Sequence, residues 1–136
     1  MVYLTRVEHF CAAHKLHNPN LSEAENQALF GKCANPNWHG HTYRLHVTVK
    51  GVPAPHTGFV INAINLSAII KKVILEKVDH LNLNLDVDFM QGILPSAENL
   101  LIAIWQQLTP HITGAATLHC IRLEETDTIY AEYYGE

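Results

Sequence analysis

The residues best suited to chemistry lie between Cys33 and His41, where a thiol is followed six residues later by His39-Gly40-His41. If the stretch from Thr42 to Lys50 is extended, its side chains alternate between faces. His39, His41, Tyr43, Leu45, Val47 and Val49 then share one face. Two imidazoles on one face can share a metal ion, and Gly40 between them leaves room for another backbone or a ligand. A catalytic zinc takes three protein ligands and keeps a fourth position open, so a third donor must come from elsewhere. His14 is the candidate. It ends a strand-like run from Tyr3 to Ala13 that can pair with the second strand and bring His14 beside the other two. The same His-x-His also reads as two polar surface residues, and ten histidines in 136 residues make chance pairs common.

Further candidates carry ordinary structural readings when taken singly. Asp79-His80 follows a helical pattern, where such a pair often serves as a cap or dipole partner. Glu125 sits at a strand-turn junction, and a free cysteine such as Cys33 is commonly a small buried hydrophobe.

The elements that must position these groups are legible in order. After the first strand, Ser22-Glu23-Ala24-Glu25 has the spacing of a capping box, which predicts a short helix to Phe30 stopped by Gly31. Strand two reaches about Lys50, and a long turn follows through Gly58. A helix capped by Asn62 or Asn65 then runs to about Val78, with Leu66, Ile69, Ile70, Val73, Ile74 and Val78 on one face. Residues 81–86 form no clean helical face. A second amphipathic helix starts at Ser96, buries Leu100, Leu101, Ile104, Trp105 and Leu108, and stops at Pro110. Strands from Thr117 to Glu125 and Thr128 to Tyr134 close the chain. The order ββααββ predicts an α+β layer with two helices on one face of an antiparallel sheet. The other face and the edges need cover, which self-association would supply.

Composition bounds the reading. With 48% hydrophobic and 16% charged residues, the chain is expected to be one globular domain over 1–136. No apolar run approaches a membrane span, and the start lacks a signal-peptide layout, so a cytoplasmic protein is expected. Three cysteines without a C-x-x-C pair fit reduced thiols. A net charge of −4 argues against nucleic-acid binding.

Taken together, the segments Cys-Ala-Ala-His14-Lys-Leu, Phe30-Gly-Lys-Cys33-Ala-Asn-Pro-Asn-Trp-His39-Gly-His41, Leu-Asp-His80-Leu-Asn-Leu, Ser96-Ala-Glu98-Asn and Glu125-Thr-Asp resemble the 6-pyruvoyl-tetrahydropterin synthase family over nearly the whole chain. The resemblance implies the tunnelling fold, with subunits closing into barrels as a homohexamer, a dimer of trimers, and active sites at subunit interfaces. It implies one Zn2+ per subunit on His14, His39 and His41, with Mg2+ as a cation that the substrate triphosphate can carry. Cys33 corresponds to the catalytic base, Asp79 and His80 to its partners, and Glu125 to the acid that anchors the pterin ring. Arg6 and Lys32 stand at positions associated with phosphate, and Ser96 and Thr126 are further substrate-binding candidates.

The implied reaction converts 7,8-dihydroneopterin triphosphate to 6-pyruvoyl-tetrahydropterin and triphosphate, in tetrahydrobiopterin biosynthesis. Related 6-carboxy-tetrahydropterin synthases of queuosine biosynthesis release acetaldehyde instead and typically have three residues between the cysteine and His-Gly-His. This chain has five, which favours the pyruvoyl branch. Trp38 stands where the family pattern has glycine, and Ala97 where a threonine is common; the tryptophan bears on the shape of the entrance. A zinc hydrolase that does not need Cys33, and a zinc-containing pterin-binding protein without catalysis, are the readings from other classes.

Overall fold

The computed structural model describes all 136 residues. Strand β1 (Val2–His14) pairs antiparallel with β2 (His39–Gly51) through thirteen positions, from Val2 opposite Gly51 to His14 opposite His39. Between them lie α1 (Glu23–Phe30) and a single 3-10 turn (Gly31–Ala34) that carries Cys33. The capping box at Ser22 forms as its spacing predicts: the Glu25 amide donates to Ser22 Oγ at 3.1 Å, and the Ser22 amide donates to the Glu25 carboxylate at 2.8 Å.

After β2, α2 (Ala63–Ile70) begins at an Asn62 cap and runs through a π-helical turn (Lys71–Leu75) into α3 (Glu76–Val78). A two-residue strand, β3 (Leu81–Asn82), follows, then α4 (Ala97–Leu108), β4 (Thr117–Thr126) and β5 (Ile129–Tyr133). The sheet order is β3-β1-β2-β4-β5, with β3 parallel to β1 and every other pairing antiparallel. The architecture is therefore mixed α+β, with three helical segments and a five-stranded sheet. Strand β3 has no alternating pattern of its own. Its partner, Ala12-Ala13 on β1, makes it a strand.

One face of the sheet holds the core. Phe10, Tyr43, Leu45, Val47, Val49, Ile121 and Leu123 pack against Leu66, Ile70, Ile74 and Val78 of the α2–α3 rod and Leu100, Leu101, Ile104 and Leu108 of α4. Each fully buried side chain of this size contributes about 1.5–3 kcal/mol of burial free energy, which holds the β1–β2 ladder flat against the helices. Ile69, expected in the stripe, is only half-buried, and Ser67 is buried instead. The reason is Glu8, a buried carboxylate on β1 that accepts hydrogen bonds from the Ser67 hydroxyl and from Arg6. An unpaired carboxylate there would cost more than the lost apolar contact. No helix covers the opposite face, where Thr5 bonds Thr48 and where Arg44, His46 and Arg122 surround Glu124. No helix is long and apolar enough to cross a membrane.

Candidate metal centre and its surroundings

The β1–β2 register does the assembly that spacing alone could not. His14 stands directly opposite His39, and His41, two residues along the same strand, shares their face. Potential ligand atoms on the three rings lie within 4.8 Å of one another, and the ring centroids are 4.6–5.1 Å apart. Gly40 between the two β2 histidines lies against β1, where a Cβ would come to 3.1 Å from the Ala12 carbonyl oxygen.

Hydrogen bonding decides which nitrogens are available. His14 Nδ1 is 2.7 Å from the Pro95 carbonyl, so Nδ1 carries the proton and Nε2 is left with its lone pair. His14 Nε2, His39 Nδ1 and His41 Nε2 are buried and have no hydrogen-bond partner. Orphaned polar atoms of this kind are rare in folded proteins, and three converging together fit a metal ion. Burial pushes all three imidazoles below their ordinary range, more strongly than the Glu125 carboxylate raises them, so neutral donors are ready near pH 7. Three neutral imidazoles are a donor set that suits zinc with one position left open.

Glu125 stands beside this triad, its Oε1 3.7 Å from His41 Nε2. A bulge places it: β4 has two residues from Glu124 to Thr126 against one step of β5, which re-aims the strand next to the site. Tyr43 packs edge-on to His41 at 5.6 Å, and its buried hydroxyl has no partner. Burial first, then the charges of Glu125 and Cys33, push its phenol far up. That interaction puts Cys33 within electrostatic reach of the same pocket. The loop bearing Cys33 is tied down where Leu16 N–H donates to its carbonyl at 2.8 Å.

Asp79 and His80 dock elsewhere. The Cys11 amide donates to Asp79 Oδ1 at 2.9 Å, His80 Nδ1 lies 2.9 Å from the same oxygen, and the His80 amide donates to the Cys11 carbonyl at 2.6 Å. The Cys11 hydrogen bond, and then His80, hold the Asp79 carboxyl below the usual carboxylate range. Cys11 alternates with Phe10 and Ala12, so its side chain lies on the sheet face opposite the triad, 3.4 Å from Thr42. His80 lines a groove of about 520 Å3 together with Cys11, Gly40, His41, Thr42 and Asp86. Within one chain the Asp79–His80 pair is thus tied to the backbone of β1 at Cys11 and bonds none of the three triad rings.

The remaining candidates divide. Arg6 pairs with Glu8 at 2.9 Å and lies eight strand residues from His14, a span of roughly 26 Å, so it does not reach this chain's own triad. Lys32 is exposed beside Cys33. Ser96 caps α4 by accepting from the Asn99 amide, next to the Pro95 carbonyl that orients His14. Thr126 accepts from the Thr128 amide in the turn after Glu125. The reading of spacing gave no role to Lys15, whose ammonium lies 4.9 Å from the centroid of the Trp38 ring. Trp38 and His80 are the only non-glycine residues with positive φ, at 67° and 61°. Each costs about 1–2 kcal/mol of backbone strain.

A family model described as 6-pyruvoyl tetrahydropterin synthase matches residues 3–136. The chain is 41% identical over 134 residues to a 6-pyruvoyl tetrahydrobiopterin synthase of Poecilia reticulata, covering 98% of this chain and 90% of that one. A Bacillus subtilis 6-carboxy-5,6,7,8-tetrahydropterin synthase is 30% identical over 101 residues, with 70% and 66% covered. Among solved structures, Caenorhabditis elegans 6-pyruvoyl tetrahydropterin synthase superposes with a TM-score of 0.92 at 37% identity, covering 99% of this chain and 96% of the other.

Proposed function

Because the chain belongs to the 6-pyruvoyl tetrahydropterin synthase family, we propose that it is a zinc-dependent lyase converting 7,8-dihydroneopterin triphosphate to 6-pyruvoyl-tetrahydropterin and triphosphate. The observation that carries this reading is the convergence of three buried, unpartnered imidazole nitrogens beside the Glu125 carboxylate. His14, His39 and His41 hold the metal, and a bound zinc supplies Lewis-acid polarisation of the substrate's side-chain hydroxyls.

The chain's own groups do the rest. Glu125 can accept two parallel hydrogen bonds from the pterin amino group and ring N–H, which fixes the ring and leaves the side chain over the triad. Cys33 removes a carbon-bound proton as thiolate. Asp79 orients His80 through Nδ1 and leaves the ring's other nitrogen free to exchange a proton with a substrate oxygen. Since the His80 ring is exposed and bonds only Asp79, it serves the site of a neighbouring subunit. The uncovered polar face and the sheet edges favour the homohexameric barrel of the tunnelling fold, with active sites at the boundaries between chains. Lys32 adjoins Cys33, Ser96 adjoins the Pro95 that bonds His14, and Thr126 adjoins Glu125, which supports their roles in binding substrate. Arg6 is left to contact substrate only across a boundary between subunits, where Mg2+ can accompany the triphosphate. The cytoplasm is the proposed compartment.

The test is to incubate the zinc-loaded protein with 7,8-dihydroneopterin triphosphate, identify products by mass spectrometry and assay acetaldehyde in the same reaction. Pyruvoyl product with triphosphate and no acetaldehyde is expected. Carboxy-tetrahydropterin with acetaldehyde would assign the chain to the branch represented by the Bacillus protein. Binding without turnover would overturn the enzymatic reading.

A further inference from the structure

Trp38 and Lys15 each adjoin a metal-ligand candidate in sequence, and they meet just past the end of the β1–β2 ladder, whose last pair is His14 and His39. The lysine side is anchored. Asn84 takes both polar groups of the Lys15 backbone, accepting from its amide and donating to its carbonyl, each at 3.0 Å. Leu16, next along, bonds the Cys33 carbonyl. The tryptophan side is strained: its amide closes a turn onto the Asn35 carbonyl at 3.2 Å with φ at 67°, a conformation that favours glycine. A bulky residue persists in that region only where its surroundings over-determine it. Here the Lys15 ammonium stands over the indole face, 4.9 Å from its centroid.

We propose that Trp38 is a positioning residue which, clasped under the Lys15 ammonium, closes the loop from Cys33 to His39 over the histidine triad and sets where the thiol stands relative to the metal. The proposal rests on the reading of Cys33 as the base. The clasp ties both ends of the loop to one fixed segment: Cys33 through Leu16, and Trp38 through Lys15. His39 is held independently by the strand ladder. Loosening the clasp therefore frees the thiol more than the metal ligands.

The test labels the zinc-loaded protein with iodoacetamide and follows each cysteine by peptide mass spectrometry, beside kcat and KM. In Lys15→Met and Trp38→Ala, labelling of Cys33 is expected to accelerate roughly fivefold, the ratio set by loss of one partly exposed cation–π contact. Labelling of Cys11 and Cys120 and the zinc content stay as in the parent protein. The same two variants lose kcat with KM little changed, and Lys15→Arg and Trp38→Phe, which keep a cation over a ring, restore both readouts. Unchanged Cys33 labelling in Lys15→Met, which leaves the backbone untouched, would overturn the clasp, as would failure of Lys15→Arg to rescue. If Cys33→Ala proves fully active, the reading of the base falls while the labelling rates still decide the clasp.

Discussion

His14 is 2% exposed and holds its ring between a carbonyl and two other imidazoles, whereas the side chain of His80 is 79% exposed and touches one carboxylate. Both belong to the same set of candidate residues, but their supports are opposite in kind. The triad is built on the longest strand pair of the sheet, where register and a packed core leave each ring one orientation. Burial keeps those rings neutral, and neutral imidazoles are what a cation requires. The Asp79–His80 pair is held at the backbone of β1, at a left-handed residue, with its ring free in a groove. A proton-transfer group, the role proposed for His80, needs access to its partner more than it needs burial. The contrast teaches that one chain by itself gathers a group able to hold a metal ion, while the Asp79–His80 pair stands exposed and apart from it.

The largest effect separating the two regions is expected from His41→Ala or His39→Ala. Either variant should lose zinc on dialysis, measured as metal per chain, by more than the roughly 10–100-fold in affinity that removing an outer hydrogen-bond partner costs. Full retention of zinc would break the assignment of the triad. Cys33→Ala should keep one zinc per chain and bind pterin, while kcat drops by roughly 10²–10⁴, the usual contribution of a positioned base. Near-normal turnover would move the chemistry away from the thiol.

Asp79→Asn should leave zinc content intact and lower kcat roughly 10–100-fold, as expected for a hydrogen bond to a charged group. Mixing it with Cys33→Ala offers the sharper measurement. If the two regions act across a subunit boundary, mixed oligomers of the two variants exceed the activity of either alone; absence of any gain would place both on one chain's site.

The smallest effect concerns pH. The triad imidazoles are depressed in the folded chain, so the unfolded chain takes up their protons first as pH falls below about 6.5. Metal-free protein should therefore lose melting temperature between pH 7.5 and 5.5, and His39→Ala should lose less. Asp79 acts in a lower window: its contribution is complete above its ordinary value near 3.8 and disappears as pH falls through the depressed folded value. Parallel melting curves for parent and His39→Ala would refute the neutral-donor account.

Much of this fold was readable because its elements obey strong local rules. The capping box at Ser22, the caps at Asn62 and Ser96, and the period-two alternation from His39 to Val49 all formed as their spacing implies. The pairing that brings His14 beside His39 was also expected, and what escaped were other features that depend on a partner far away in sequence. Ser67 displaced Ile69 from the buried stripe because a carboxylate on β1 needed it. Strand β3 exists through its pairing with Ala12 and Ala13, and the π-helical turn at Lys71–Leu75 had no composition signal. Arg6 shares a strand with His14, yet the rise of an extended chain carries it out of reach.

The amino-acid sequence by itself determined the class of fold, the shared face of His39, His41 and Tyr43, and the ends of the helices, because periodicity and capping are properties of neighbours along the chain. Only the tertiary structure decided that His14 pairs directly with His39, that Pro95 sets its tautomer, that a bulge delivers Glu125 to the triad, and that Asp79 and His80 dock on the Cys11 backbone. Those facts arise from strand register and long-range hydrogen bonds, which join residues up to 81 positions apart and leave no mark on local sequence.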